Sequence, residues 1–90
     1  MKGEPRQQMS RPVKRSFSIR GHRTSISLES AFWDALREAA LREGISLAGL
    51  VARIDEGRGS AGLSSAVRIW ILGYFRAASA AESYDGGNRD

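Results

Sequence analysis

The side chains that could do chemistry in this chain are few and scattered. His22 is the only histidine. It stands between Arg20 and Arg23, where an exposed turn residue or a cation touching phosphate fits better than a general base. The serines at 16, 18, 25 and 27 alternate along two short segments with no Asp-His pair beside them. A polar sheet face suits them better than nucleophilic catalysis. Glu43, Asp55 and Glu56 have the spacing of helix-surface charges, and "GRGSAG" at 57–62 lacks the Lys-Ser/Thr that completes a P-loop. Without cysteine and with one histidine, a disulfide and a Cys/His zinc site are both excluded. The sequence therefore points to no catalytic residue, no metal and no cofactor, and to a protein that binds.

What remains is a block of cations. Residues 1–23 hold Lys2, Arg6, Arg11, Lys14, Arg15, Arg20 and Arg23 against Glu4 alone, whereas the rest of the chain is mildly acidic; the net charge is +4. A basic end on a mildly acidic body is the pattern of a chain that docks one end on a polyanion. Lys14, Arg15, Arg20 and His22 are the candidate phosphate contacts on this reading. The alternative is a solvated, charged tail. The first residues lack the apolar run of a signal peptide, so a cytoplasmic protein is expected. "LSSAVRIWILGYF" at 63–75 is interrupted by Arg68 and is shorter than the ~20 residues that span a bilayer. It is expected to be a buried helix, with no membrane partner.

The elements that must position these cations follow from periodicity. Residues 1–14 carry both prolines and no repeat, and are expected to form a disordered basic arm. "RSFSIR" at 15–20 alternates Phe17 and Ile19 against Ser16, Ser18 and Arg20. Residues 23–28 alternate Thr24, Ile26 and Leu28 against Arg23, Ser25 and Ser27. Gly21-His22 stands where a II′ hairpin turn would go, which would set Phe17 opposite Ile26 and Ile19 opposite Thr24. A strand has an edge to cover, so 23–28 must pair with this hairpin arm or with a second copy of the chain.

Helical spacing takes over after the strands. The first helix is expected from Ser30, its N-cap, to Glu43, with Gly44 as the stop and Phe32, Trp33 and Leu36 on its apolar stripe. A second, capped by Ser46 and ending at Gly57, buries Leu50, Val51 and Ile54. A third runs from Ser64 to Ala77 with apolar residues nearly all round its axis, which calls for covering on every face. Residues 78–90 read as a disordered tail. The domain proper is thus 15–77. Ninety residues bury a thin core, and with cross-links and metal excluded, oligomerisation is the remaining supplement.

"RTSISLES" followed by "FWDALREAALREG" and "ISLAGLVARI" resembles the ribbon-helix-helix superfamily of bacterial DNA-binding proteins. The wider set "GHRTSISLE", "GISLAGLVARID" and "LSSAVRIWIL" looks like a branch of small uncharacterised proteins with this domain, over residues 15–75. The resemblance implies a mostly helical fold with a short β element, in an intertwined homodimer. Strand 23–28 would pair antiparallel with its copy above a dimer core of Ile26, Leu28, Phe32, Trp33, Leu36, Leu50, Val51 and Ile54. Arg23, Ser25 and Ser27 would then face base edges in the major groove. Ser46 and the N–H groups of Leu47 and Ala48 would hold a backbone phosphate. The function implied is that of a DNA-binding transcriptional regulator. A hairpin arm would make the dimer ribbon four strands wide, however, and the third helix is additional to the minimal fold. Both features suit a rival reading, a protein-interaction module or antitoxin-like partner that binds another protein through residues 63–75.

Overall fold

The computed structural model describes residues 11–87, with side chains as far as Glu82. The chain runs β1 (Pro12–Ile19), β2 (His22–Glu29), α1 (Ser30–Glu43), α2 (Leu47–Gly57) and α3 (Leu63–Gly87). The expected arm at 1–10 lies outside the described residues. β1 begins at Pro12, however, so Val13 and Lys14 belong to the sheet and not to an arm ending at residue 14.

β1 and β2 form one antiparallel hairpin, in a register that differs from the expected one. Phe17 pairs with Thr24, Ile19 with His22 and Arg15 with Ile26. The turn residues are Arg20 and Gly21, at φ 50° and 81°. Positive φ at both central positions is the type I′ turn, whose twist matches that of the strands. The physical reason for the shift is Arg20, whose guanidinium bonds Asp55 at 2.8 Å and Glu56 at 3.0 Å near the end of α2. Those bonds hold an unfavourable backbone in place and move the turn one residue towards the N-terminus. The strand's partner is therefore the hairpin arm of its own chain.

Cross-strand partners share a face, so Phe17 and Ile19 lie with Ile26 and Leu28 over the helices. Ile19 is 5% exposed, and Ile26 and Leu28 are fully buried. Trp33 locks the hairpin to α1. Its ring stacks on Phe17 at 6.0 Å, and its indole N–H donates to the Val13 carbonyl at 2.9 Å.

α1 has the expected span but a different cap. Ser30 opens the helix and Glu29 takes the cap position with no side-chain cap bond, because its carboxylate turns to Arg68. Gly44, at φ 69°, ends the helix, and the Ile45 N–H reaches back to the Ala40 carbonyl at 3.1 Å. Ser46 caps α2 as expected, its Oγ accepting from the Gly49 N–H at 2.9 Å.

α3 departs from expectation twice. It is not covered all round: Leu63, Val67 and Ile71 are buried, Trp70, Tyr74 and Phe75 partly so, while Ile69 and Leu72 face outward. It also continues to Gly87, well past Ala77, through the alanine-rich stretch 77–81 where a tail was expected. Among the eight residues expected in the core, seven are buried and Phe32 is half-buried at its margin. Ile19, Ala39, Ala40, Leu63, Val67 and Ile71 complete it. This core closes within one chain.

Candidate nucleic-acid interface

The face of the hairpin turned away from the helices is polar from Lys14 and Ser27 to the turn, with Pro12 opposite Glu29 at its far end. β1 contributes Lys14, Ser16 and Ser18, and β2 contributes Arg23, Ser25, Ser27 and Glu29. Across the two strands Lys14 stands opposite Ser27, Ser16 opposite Ser25 and Ser18 opposite Arg23. The hydroxyls of Ser16 and Ser25 are 3.4 Å apart. Lys14 and Arg23 are exposed and have no ion-pair partner among the described residues. Glu29, the one acid on this face, is held by Arg68 at 3.0 Å. Its own backbone N–H, and then the Arg68 guanidinium, hold its carboxyl below the usual carboxylate range. The face therefore presents hydroxyls and two uncommitted cations.

The residues expected to touch base edges, Arg23, Ser25 and Ser27, all lie on this face, Arg23 and Ser25 exposed and Ser27 half-buried. Among those expected to touch phosphate, Lys14 lies there too. Arg15 does not: it shares the opposite side with Ile26, and its guanidinium covers the Trp33 ring at 5.5 Å. Arg20 is engaged by Asp55 and Glu56. His22 is exposed beside the turn. Ser46, Leu47 and Ala48 form the start of α2, where Ser46 Oγ is occupied by its own helix. Of this set only the first N–H groups of the helix are left for an anion.

Two residues of the face were legible in the alternation of "RSFSIR" as a polar surface but not as part of the site. Ser16 and Ser18 join Ser25 and Arg23 once the hairpin forms. The role of α3 had no local signal. Ser64 Oγ accepts the Ser27 N–H at 3.1 Å, and Arg68 donates to the Ser27 carbonyl at 3.2 Å and to both Glu29 oxygens. By the alternation of an antiparallel ladder, the backbone groups of Arg23, Ser25 and Ser27 point away from β1. The outer edge of β2 is thus occupied at Ser27 by side chains of α3. Pairing with a second copy along the full strand 23–28, as the resemblance implied, would require the Ser64 and Arg68 side chains to release Ser27.

Asp55 is the second charged hub, with Arg58 at 2.7 Å and Arg20 at 2.8 Å. The bond from Arg58, then the charges of Arg58 and Arg20, hold its carboxyl low against partial desolvation. Tyr74 donates to Glu43 at 2.8 Å, which raises the phenol above its usual value. The first ties the hairpin turn to the end of α2 and the second ties α3 to α1, both away from the hairpin's outer face.

Among the described residues no group of His, Cys, Asp and Glu could hold a metal ion, and no helix is long and apolar enough to cross a membrane. No curated protein matches the chain significantly. The solved structure of an uncharacterised protein from Bordetella pertussis Tohama I is 33% identical, with a TM-score of 0.71 over 84% of this chain and 64% of its own. This chain therefore spans just under two thirds of the length of that protein. Residues 12–75, from the start of β1 to the last core residue of α3, match the ribbon-helix-helix domain. The chain belongs to the ribbon-helix-helix domain family.

Proposed function

We propose that this protein is a DNA-binding transcriptional regulator, working as a homodimer, that sets the outer face of its hairpin in the major groove. One observation carries the reading. The single sheet face left free of helices bears Lys14, Arg23 and four serines, and its one carboxylate is already neutralised by Arg68. Two antiparallel strands have the width a major groove admits. Here both come from one protomer, so each half of a dimer brings a complete ribbon to its own half-site. Arg23 is the side chain suited to guanine, the serines are weaker readers, and Lys14 is a phosphate contact.

The test compares a selected site with random duplex. Arg23→Ala is expected to cost about 1–3 kcal/mol for each half-site of the selected site and much less elsewhere. Lys14→Ala should weaken binding evenly on all sequences and lower the salt slope by about two, one for each protomer of the dimer. Equal losses on both DNAs for Arg23→Ala would remove it from base readout. A second reading, a protein-interaction module or antitoxin-like partner, is favoured by the outward-facing Ile69 and Leu72 of α3. Failure to form any salt-sensitive complex with duplex DNA would leave that reading standing.

A further inference from the structure

α3 is additional to the minimal fold, yet one of its side chains ends at the hairpin's outer face. Arg68 donates from Nε to one Glu29 oxygen at 3.0 Å and from Nη2 to the other at 3.3 Å. Its planar fork thus spans both oxygens of the carboxylate. The guanidinium also lies over the Phe32 ring at 5.8 Å, which fixes its height above α1. Glu29 holds the cap position of α1, but its side chain makes no cap bond there. Arg68 is the cation bonded to it among the described residues. The position of Glu29 makes that bond matter. Lys14 stands opposite Ser27 and Pro12 opposite Glu29, so Glu29 is the diagonal neighbour of Lys14 on the same face. Diagonal neighbours are about 7–8 Å apart at Cα, a span that a lysine and a glutamate bridge.

We infer that Arg68 is a positioning residue for DNA binding, which it serves without touching DNA by keeping the Glu29 carboxylate away from Lys14 and from the phosphates. The inference rests on the reading of the hairpin's outer face as the DNA-binding face. Without Arg68, the Glu29 carboxyl is a bare anion at neutral pH. Two courses are then open to it. Turned along the sheet it pairs with Lys14 and takes one of the two uncommitted cations out of use. Turned outward it meets the phosphates and repels them. Either course halves the excess positive charge of the face, and in a dimer it does so twice. Phosphate contacts supply much of the affinity and no sequence information, so the loss falls on every duplex alike. The contact between Arg68 and Glu29 joins two side chains, so it holds whichever element joins the protomers.

A double-mutant cycle of the full chain tests this, read as affinity for a random duplex and for a selected site over a range of salt, with thermal melts to show that each variant is folded at the assay temperature. Arg68→Met keeps an apolar stem over Phe32 and removes the charge. It should weaken binding at least about tenfold on both DNAs and lower the salt slope by about two for the dimer, as Lys14→Ala does. Glu29→Gln should bind at least as tightly as the wild type, because it leaves the Arg68 charge uncompensated beside the face. The double variant should return to within about threefold of the wild type, since the carboxylate that Arg68 restrained is gone. Wild-type affinity in Arg68→Met overturns the inference. So does a double variant as weak as Arg68→Met, which would assign the loss to the Arg68 bond with the Ser27 carbonyl or to its packing on Phe32. A wild-type protein that binds neither duplex defeats the DNA reading itself, and the inference with it.

Discussion

Ile19→Ser asks whether the hairpin is part of the core or an arm laid on it. Ile19 is 5% exposed, beside the turn, and belongs to the same apolar cluster as Ile26 and Leu28. Removing the aliphatic side chain forfeits about 1.5–3 kcal/mol of burial. The incoming hydroxyl adds about 1 kcal/mol if it finds no partner, a low figure because the turn lies within reach of water. The expected loss is about 2–4 kcal/mol. For a domain of this size 1 kcal/mol moves the midpoint by about 4–8 °C, so the melting temperature should fall by roughly 10–25 °C. The assay is a thermal melt followed at 222 nm at fixed protein concentration, with Arg23→Ala as the exposed control that should melt like the wild type. A loss below about 1 kcal/mol would refute the reasoning, because an integral core residue cannot be truncated so cheaply.

Trp33→Phe removes the indole N–H that donates to the Val13 carbonyl together with part of a buried ring. It should cost about 2–3 kcal/mol, measured by urea titration. Gly44→Ala places a Cβ at φ 69° and should cost about 1–2 kcal/mol in the same titration, with no change in far-UV spectrum. Glu29 and Asp55 release their protons more readily folded than unfolded, Glu29 through its backbone N–H and Arg68, Asp55 through Arg58 and Arg20. The stability they add is therefore present above their ordinary values of 4.5 and 3.8 and is lost as pH falls through the lower folded values. Glu29→Gln with Asp55→Asn should flatten the fall of the melting temperature below about pH 4.5.

Local chemistry made much of this fold legible. Gly44 and Ser46 announce the end of one helix and the start of the next, and both do so in the structure. The alternation of residues 15–28 separates the buried face from the polar one, although the register shifts by one residue pair. That shift could not be read locally. Gly21 serves equally as the first residue of a II′ turn or the second of a I′ turn. What distinguishes them is a pair of carboxylates more than thirty residues away, Asp55 and Glu56, that hold Arg20. The same holds for the edge of β2, where Ser64 and Arg68 reach back from α3. Arg15, by contrast, is legible locally: the alternation that sets Phe17 and Ile19 on the helix side sets Arg15 there too, where it covers the Trp33 ring. The apolar residues of α3 showed that it had more to bury than one face, but not which residues would remain outward.

The central claim, that DNA lies on the outer face of the hairpin, is tested most directly by residue-resolved amide shifts of the full chain titrated with a duplex site. Perturbations should concentrate on Lys14, Ser16 and Ser18 of β1 and on Arg23, Ser25 and Ser27 of β2, fading as salt is raised. Ile69, Leu72 and Gly73 on α3 should stay unmoved. Perturbations centred on α3 with an unmoved hairpin, or none at low salt, would contradict it.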